Sequence, residues 1–150
     1  MEDGSLTIYE NSFCVLDFLF LRIFKKKNSK MKKYFIQKAP FVVPTTDGKL
    51  IEEHHGLATT NNSAISIAHM IAPPGWSEPF QTPEFDEYTY IIKGKKQFVI
   101  EDETVVLETG QSIKIEKNTR VQYSNPFDEI CEYLAICTPA FSMEMVNRED

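Results

Sequence analysis

The chain has 150 residues, of which 42% are hydrophobic, so it is long enough for one domain with a core and too apolar to be wholly disordered. Its formal net charge is −6, with the positive charges concentrated in residues 1–33 and an acidic remainder. An acidic body argues against a nucleic-acid surface, which needs clustered positive charge.

The first thirty residues differ in character from the rest of the chain. Phe13–Phe24 is an apolar run interrupted by Asp17 and Arg22, and it is shorter than the roughly 20 apolar residues of a spanning helix. Basic residues follow this run, whereas a signal peptide carries them before it. An interfacial anchor stays open as an alternative. We expect residues 1–30 to be an N-terminal extension, residues 31–150 to form the domain, and no membrane to be a partner.

From Tyr34 onward, short apolar or alternating runs are separated by turn signals, a pattern typical of all-β proteins. The Glu101-Asp102-Glu103 segment predicts a tight hairpin, and the tail from Ser142 predicts at most a short helical segment. Many short strands at regular spacing indicate a closed or double-sheet β architecture. The predicted strands are Phe41–Val43, Leu50–His55, Ala64–Ile71, Glu87–Lys93, Gln97–Ile100, Thr104–Leu107, Ser112–Ile115, Val121–Tyr123 and Glu132–Cys137.

The three histidines and three cysteines give few strong signals. His69 shares side-chain parity with Ile65 and Ile67, which predicts that it faces inward. His54 and His55 are adjacent on a strand, so at most one of them points into the interior. An odd cysteine count without a CxxC pair is typical of a reducing compartment, so we expect a cytoplasmic protein. Cys131 and Cys137 are interpreted as buried, inert thiols.

Two spaced patterns carry the most information. The first runs from Gly75 through Glu87 to Gly94 with the spacing G-x11-E-x6-G, and the second joins Gly110 to Asn125. Over about residues 40–140 the chain resembles the cupin family, whose two motifs are G-x5-H-x-H-x3-E-x6-G and G-x5-P-x-G-x2-H-x3-N. The resemblance implies an all-β fold with a single jelly-roll β-barrel and a short helical or irregular tail.

The cupin resemblance also implies where a metal site would lie, and most of the metal-ligating residues expected there are replaced. The family's three histidine positions are occupied here by Gln81, Pro83 and Val121, and only Glu87 remains of the usual ligands. One carboxylate and one amide oxygen make a poor first-row transition-metal site. A divalent metal ion held by Gln81, Glu87 and His69 stays open as an alternative.

We therefore expect a small-molecule-binding cupin of unassigned ligand, with a pocket around Gln81 and Glu87. Tyr123 and His69 are the further candidate ligand contacts. Glu87 is also the candidate catalytic group, because an inward carboxylate costs several kcal/mol unless it is solvated, paired or metal-bound.

The alternatives are a metal-dependent isomerase or oxygenase with a non-standard ligand set, and a structural or partner-binding module. The resemblance further implies a homodimer in which strands are shared, and residues 34–43 are the candidate exchanged strand, which would also cover an exposed sheet edge.

Overall fold

A computed structural model describes residues 32–149, so the predictions for residues 1–30 lie outside the described part of the chain. By internal contacts the chain divides into two units, Met1–Phe35 and Ile36–Asp150, and the fold below belongs to the second. Among the described residues no helix is both long enough and apolar enough to cross a membrane. The described elements are β1 (Phe41–Val42), β2 (Leu50–His55), α1 (Leu57–Thr60), β3 (Ser66–Ala72), β4 (Trp76–Ser77), β5 (Asp86–Lys93), β6 (Lys95–Ile100), β7 (Glu103–Glu108), β8 (Ser112–Ile115), β9 (Val121–Asn125), β10 (Cys131–Thr138) and a 3₁₀ turn (Met143–Met145).

The strands form two antiparallel sheets. One has six strands in the order β1-β2-β3-β10-β5-β8, and the other has four in the order β4-β9-β6-β7. From β3 onward the chain crosses from one sheet to the other at every connection except the β6–β7 hairpin, which is the crossing connectivity of a jelly roll. The fold is therefore all-β and cupin-like, as predicted, with two facing sheets that hydrogen bonds do not join into one closed cylinder within residues 32–149.

The core lies between the two sheets, where inward residues alternate with outward ones along each strand. On the four-stranded sheet, Phe98 of β6 pairs with Tyr123 of β9, and their rings meet edge to face with centroids 5.7 Å apart. Ile91 and Tyr133, paired across β5 and β10, are fully buried on the facing sheet. This register fixes which side chains point inward on every neighbouring strand.

The predicted hairpin is confirmed. Lys95 to Ile100 pairs in register with Glu108 to Glu103, and Glu101 takes a positive φ of 50° in the turn between them. A tight turn with this backbone twist joins two antiparallel strands directly. The tail contributes one short 3₁₀ turn and then pairs with the segment near Phe80 through the Glu149 amide.

Asn125 explains why the second sequence pattern ends in an amide. Its side chain is fully buried, and Nδ2 donates to the carbonyl oxygens of Ala72, Pro73 and Glu129 at 2.8–3.2 Å. Buried backbone carbonyls need such partners. Asn125 therefore ties the end of β3 and the β9–β10 loop to the four-stranded sheet.

Candidate ligand-binding cavity

A cavity of about 520 Å³ opens between the two sheets. Its walls are built from small and aromatic residues, and its polar groups converge from both sheets. Ligand sites in proteins have this combination of an apolar lining and a few placed polar groups. The polar residues that line it are Thr45, Thr46, Asp47, Lys49, Glu53, Ser66, Ser77, Glu78, Gln81, Glu87, Lys96, Tyr123, Tyr133 and Arg148.

Glu87, the sole retained member of the usual metal-ligand set, lies in this cavity on β5. Its Oε2 accepts a hydrogen bond from the Tyr123 hydroxyl at 3.0 Å, and its Oε1 accepts one from Thr89 Oγ1 at 2.9 Å. Burial and the charge of Glu87 raise the pKa of Tyr123 well above its usual range, so the phenol stays a proton donor. The structure thus brings together Glu87 and Tyr123, two residues singled out by sequence.

Gln81 is buried and also lines the cavity. Its backbone bridges Val121 on one side and Arg148 on the other, and its Oε1 accepts a bond from Arg148 Nε at 3.4 Å. Arg148 reaches further to Glu78, which in turn accepts a 2.6 Å bond from the buried Lys49. Lys49, Glu78 and Arg148 therefore form a chain of alternating charges along the cavity wall.

Lys96 lies in the cavity wall and was not among the candidates from sequence. It is only 2% exposed, and its Nζ lies 3.5 Å from the centre of the Tyr133 ring and 4.9 Å from that of Tyr123. No hydrogen bond or ion pair joins this Nζ to any residue between 32 and 149. Burial, and secondarily the charge of Lys49, lowers the pKa of Lys96 to about 7 against the opposing effect of Glu87.

The Tyr133 hydroxyl is a further polar group of the cavity wall that the described residues leave without a hydrogen bond. The residue is fully buried, lines the cavity, and its hydroxyl has no hydrogen-bond partner among residues 32–149. Burial and the charges of Glu78 and Glu87 raise the pKa of Tyr133 well above its usual range. The cavity therefore presents one amine and one neutral hydroxyl with unused hydrogen-bonding capacity.

The predicted inward orientation of His69 is wrong. The cavity takes the side chains of Ser66, Ala68 and Met70 from β3, so His69 lies on the opposite face of the sheet. There its Nδ1 and Nε2 each lie 2.9 Å from a carboxylate, of Glu52 and Glu132 respectively. Burial would lower the pKa of His69, but these two hydrogen-bonded carboxylates outweigh it and raise the pKa.

The donor set does not fit a first-row metal ion. At the family's ligand positions, Val121 is a fully buried core residue, Pro83 has no side-chain donor, and the Gln81 oxygen already faces Arg148. His69 points away from Glu87, and the described residues contain no group of three or more His, Cys, Asp or Glu side chains placed to hold a metal.

Strand alternation could have identified Lys96 and Tyr133. Lys96 is two residues from Phe98 on β6, and Tyr133 lies midway between Cys131 and Ala135, so each shares the inward parity of a buried neighbour. Cys131 and Cys137 are free and buried, and burial raises the pKa of Cys131 to about 11 and that of Cys137 further. Both thiols are thus poor nucleophiles, in line with the interpretation from sequence.

Residues 68–137, which contain both sequence patterns and most of the strands around the cavity, match the cupin domain family. The chain therefore contains a cupin domain. A relative from Myxococcus xanthus (strain DK1622), named endoribonuclease YbeY, is 41% identical over 108 residues. That match covers 72% of this chain and 37% of the relative, so the chain spans little more than a third of the protein that carries that name.

Solved structures agree with the cupin fold. An RmlC-like cupin family protein from Methanocaldococcus jannaschii superposes with a TM-score of 0.56 at 20% identity, covering 71% of this chain and 94% of that one. The polyketide cyclase RemF from Streptomyces resistomycificus gives a TM-score of 0.62 at 14% identity, covering 80% and 87%. At these identities the likeness concerns the fold alone.

Proposed function

We propose that this cupin domain binds a small polar molecule in the cavity between its sheets, with Glu87, Lys96 and Gln81 as contacts. The observation that carries the proposal is that two buried residues, Lys96 and Tyr133, line the same cavity and that neither the Lys96 amine nor the Tyr133 hydroxyl has a hydrogen-bond partner among residues 32–149. An unsatisfied buried donor costs about 1–3 kcal/mol, and a ligand oxygen offsets that cost.

The charge pattern indicates what such a ligand carries. The Lys96 amine and the Tyr133 hydroxyl are donors, so they favour a carbonyl, hydroxyl or carboxylate oxygen. The Glu87 carboxylate lies on the same cavity, where it accepts two hydrogen bonds and favours a donor group on the ligand. A compact molecule with both kinds of group suits a space of about 520 Å³.

Native mass spectrometry of the purified full chain tests this proposal, because a ligand that is retained adds its mass to the folded protein. Thermal shift against a panel of small hydroxy acids, keto acids and sugars is the second measurement. A ligand at 100 times its Kd stabilises the fold by about 2.7 kcal/mol.

Glu87→Gln is the informative variant, since it keeps the shape of the side chain but removes its charge. We expect the ligand-induced shift to fall in Glu87→Gln and to persist in Glu116→Gln, whose carboxylate is 78% exposed on the surface. A Glu87→Gln protein that is more stable than wild type and binds the same molecules equally well would show that Glu87 is not a ligand contact.

We also propose that the chain works in the cytoplasm as a homodimer. The free, buried cysteines are compatible with a reducing compartment. Support for the dimer comes from β5, whose outward side chains Tyr88, Tyr90 and Ile92 are 41%, 46% and 37% exposed. The edge strand β1, which three other strands separate from β5 in the sheet order, exposes Phe41 and Val42 as well. Exposed apolar patches of this kind mark association surfaces.

A further inference from the structure

Two lysines are buried in the cavity wall, and their surroundings differ in one respect. Lys49 is 7% exposed and forms a 2.6 Å ion pair with Glu78, with its ammonium 4.1 Å from the Trp76 ring centre. Lys96 is more deeply buried and has aromatic rings around it, but no carboxylate lies within 4 Å among residues 32–149. The two buried lysines therefore differ in that a carboxylate partners Lys49 and none partners Lys96 among these residues.

The aromatic rings also orient the Lys96 side chain. Its Nζ is 3.5 Å from the Tyr133 ring centre, 4.9 Å from that of Tyr123 and 5.3 Å from that of Phe98, so carbon surrounds the amine on the wall side. The cavity is the space from which a molecule reaches it. An amine presented in this way is positioned to attack a bound molecule.

Desolvation makes this amine a nucleophile near neutral pH. Burial is the largest reason that the pKa of Lys96 falls from 10.5 to about 7, and the positive charge of Lys49 adds to it. Glu87 and Glu78 act in the opposite direction. A lysine desolvated in an apolar pocket is the usual form of an amine that attacks carbonyl carbon.

The geometry points to Lys96 as a covalent site for a small aldehyde, ketone or keto acid, with which it forms an imine in the cavity. This inference rests on the proposed function, since it requires that a small molecule enters the same cavity. It adds the chemical class of that molecule and a bond to it.

The reaction balances without any further reagent. The Nζ lone pair attacks the carbonyl carbon, a C–N bond forms, and the carbonyl oxygen takes up a proton while the nitrogen loses one. The carbinolamine then loses its hydroxyl group together with the second N–H proton as water, which leaves the C=N bond. No oxidant or reductant takes part. Glu87 and its hydrogen-bonded partner Tyr123 are the groups on the cavity that carry these protons.

Reductive trapping on the full chain tests the inference. The folded protein is incubated at pH 7 with sodium cyanoborohydride and formaldehyde, glycolaldehyde or pyruvate, and each lysine is followed by peptide mass mapping. We expect Lys96 to be modified at least about tenfold faster than the exposed Lys95 beside it, because much more of it is neutral at this pH. Formaldehyde is included because it is small enough that entry into the cavity does not limit the rate at which it reaches Lys96.

Lys96→Arg keeps the positive charge but forms no stable imine, so it is expected to lose the fast modification while the slow labelling of the exposed lysines continues. Lys117→Arg is the matched control, since Lys117 is exposed and does not line the cavity, and it is expected to retain fast labelling of Lys96. A rate at Lys96 equal to or below that at Lys95 with all three compounds overturns the inference.

Thermal shift without reductant separates this inference from the proposed function. If a compound of the panel stabilises both wild type and Lys96→Arg while Lys96 stays unmodified, the cavity binds ligands but Lys96 forms no bond to them. The proposed function fails if native mass spectra show no bound molecule and no compound of the panel shifts the melting temperature. In that case the imine is supported only by fast labelling of Lys96, and slow labelling overturns it as well.

Discussion

The burial of Lys96 lowers the stability of the folded protein instead of raising it. Burying an amine without a carboxylate partner penalises the ammonium form, and this is why the pKa of Lys96 drops to about 7 while the unfolded chain keeps a value near 10.5. Below pH 7 both states hold the proton and the folded state bears the full penalty. Between pH 7 and 10.5 the unfolded state binds more protons, so stability rises with pH.

Lys96→Met is therefore expected to be more stable than wild type at pH 6, with the difference shrinking as the pH rises. The difference in the free energy of unfolding between the two proteins is expected to shrink by about 1.4 kcal/mol per pH unit, and so by up to about 3 kcal/mol between pH 7 and 9. Denaturant unfolding of both proteins at pH 6, 7, 8 and 9 measures it, and the comparison cancels the titration of other groups. A difference that does not vary with pH contradicts the assignment.

Lys49→Met is the control variant, and the expected change in its stability has the opposite sign to that of Lys96→Met. Lys49 is buried with Glu78 as its partner at 2.6 Å, so its removal leaves a carboxylate that keeps only Arg148. Breaking a buried pair from one side destabilises a protein. Lys49→Met is expected to be less stable than wild type at neutral pH, where Lys96→Met is more stable.

Gly94 joins β5 to β6, and the turn there requires a glycine for two separate reasons. Its φ is +78°, a conformation that residues with a Cβ adopt at a cost of roughly 1–2 kcal/mol. In addition, a Cβ at this position would overlap the backbone carbonyl oxygen of Ile130. Gly110 has a similar φ of +85°, but a Cβ there meets nothing within 4 Å.

Gly94→Ala and Gly110→Ala therefore form a matched pair. Both carry the backbone strain, and only the first adds a clash with backbone that cannot move freely. We expect Gly94→Ala to be less stable than Gly110→Ala by about 1–3 kcal/mol, the usual range for overpacking. Urea unfolding checks this difference. Equal losses would mean that the β9–β10 loop shifts to admit the methyl group.

The strands show what the sequence could and could not predict. Alternation and turn residues located the elements, because burial on one side of a strand leaves a period of two in the sequence. The inward orientation predicted for His69 was wrong, because His69, Ile67 and Ile71 lie on the outer face of β3 while Ser66, Ala68 and Met70 line the cavity, and two of these three are small. A wall that must leave space for a ligand favours small inward residues, so hydrophobicity alone does not identify the inner side.

The candidate site was predicted only in part for a related reason. Gln81, Glu87 and Tyr123 were found because the spacing of the glycines fixes their positions in the cupin motifs. Lys96 was passed over since a lysine beside a turn is usually solvated. Its burial depends on the partner strands β9 and β10, which bring Tyr123 and Tyr133 over it, and no local pattern in residues 94–98 encodes those neighbours.

For the molecule as a whole, the six-stranded sheet has two faces that serve different purposes. Its inner face closes the cavity, while its outer face carries Tyr88, Tyr90 and Ile92 in a row on β5, with Leu134 and Ile136 beside them on β10. Burial of such side chains contributes about 25 cal/mol per Å² of apolar surface. A second copy of the chain that presents the same patch covers both surfaces in one symmetric contact.

Tyr90→Lys tests this assembly, because it places a charge at the centre of the patch on each protomer. We expect the wild-type chain to sediment at twice its monomer mass at tens of micromolar and the Tyr90→Lys chain to sediment as a monomer with an unchanged circular dichroism spectrum. Val106→Lys is the matched control, since Val106 is 42% exposed but lies on β7 of the other sheet. A monomeric wild type, or a dimer that Val106→Lys rather than Tyr90→Lys dissociates, would place association elsewhere on the surface.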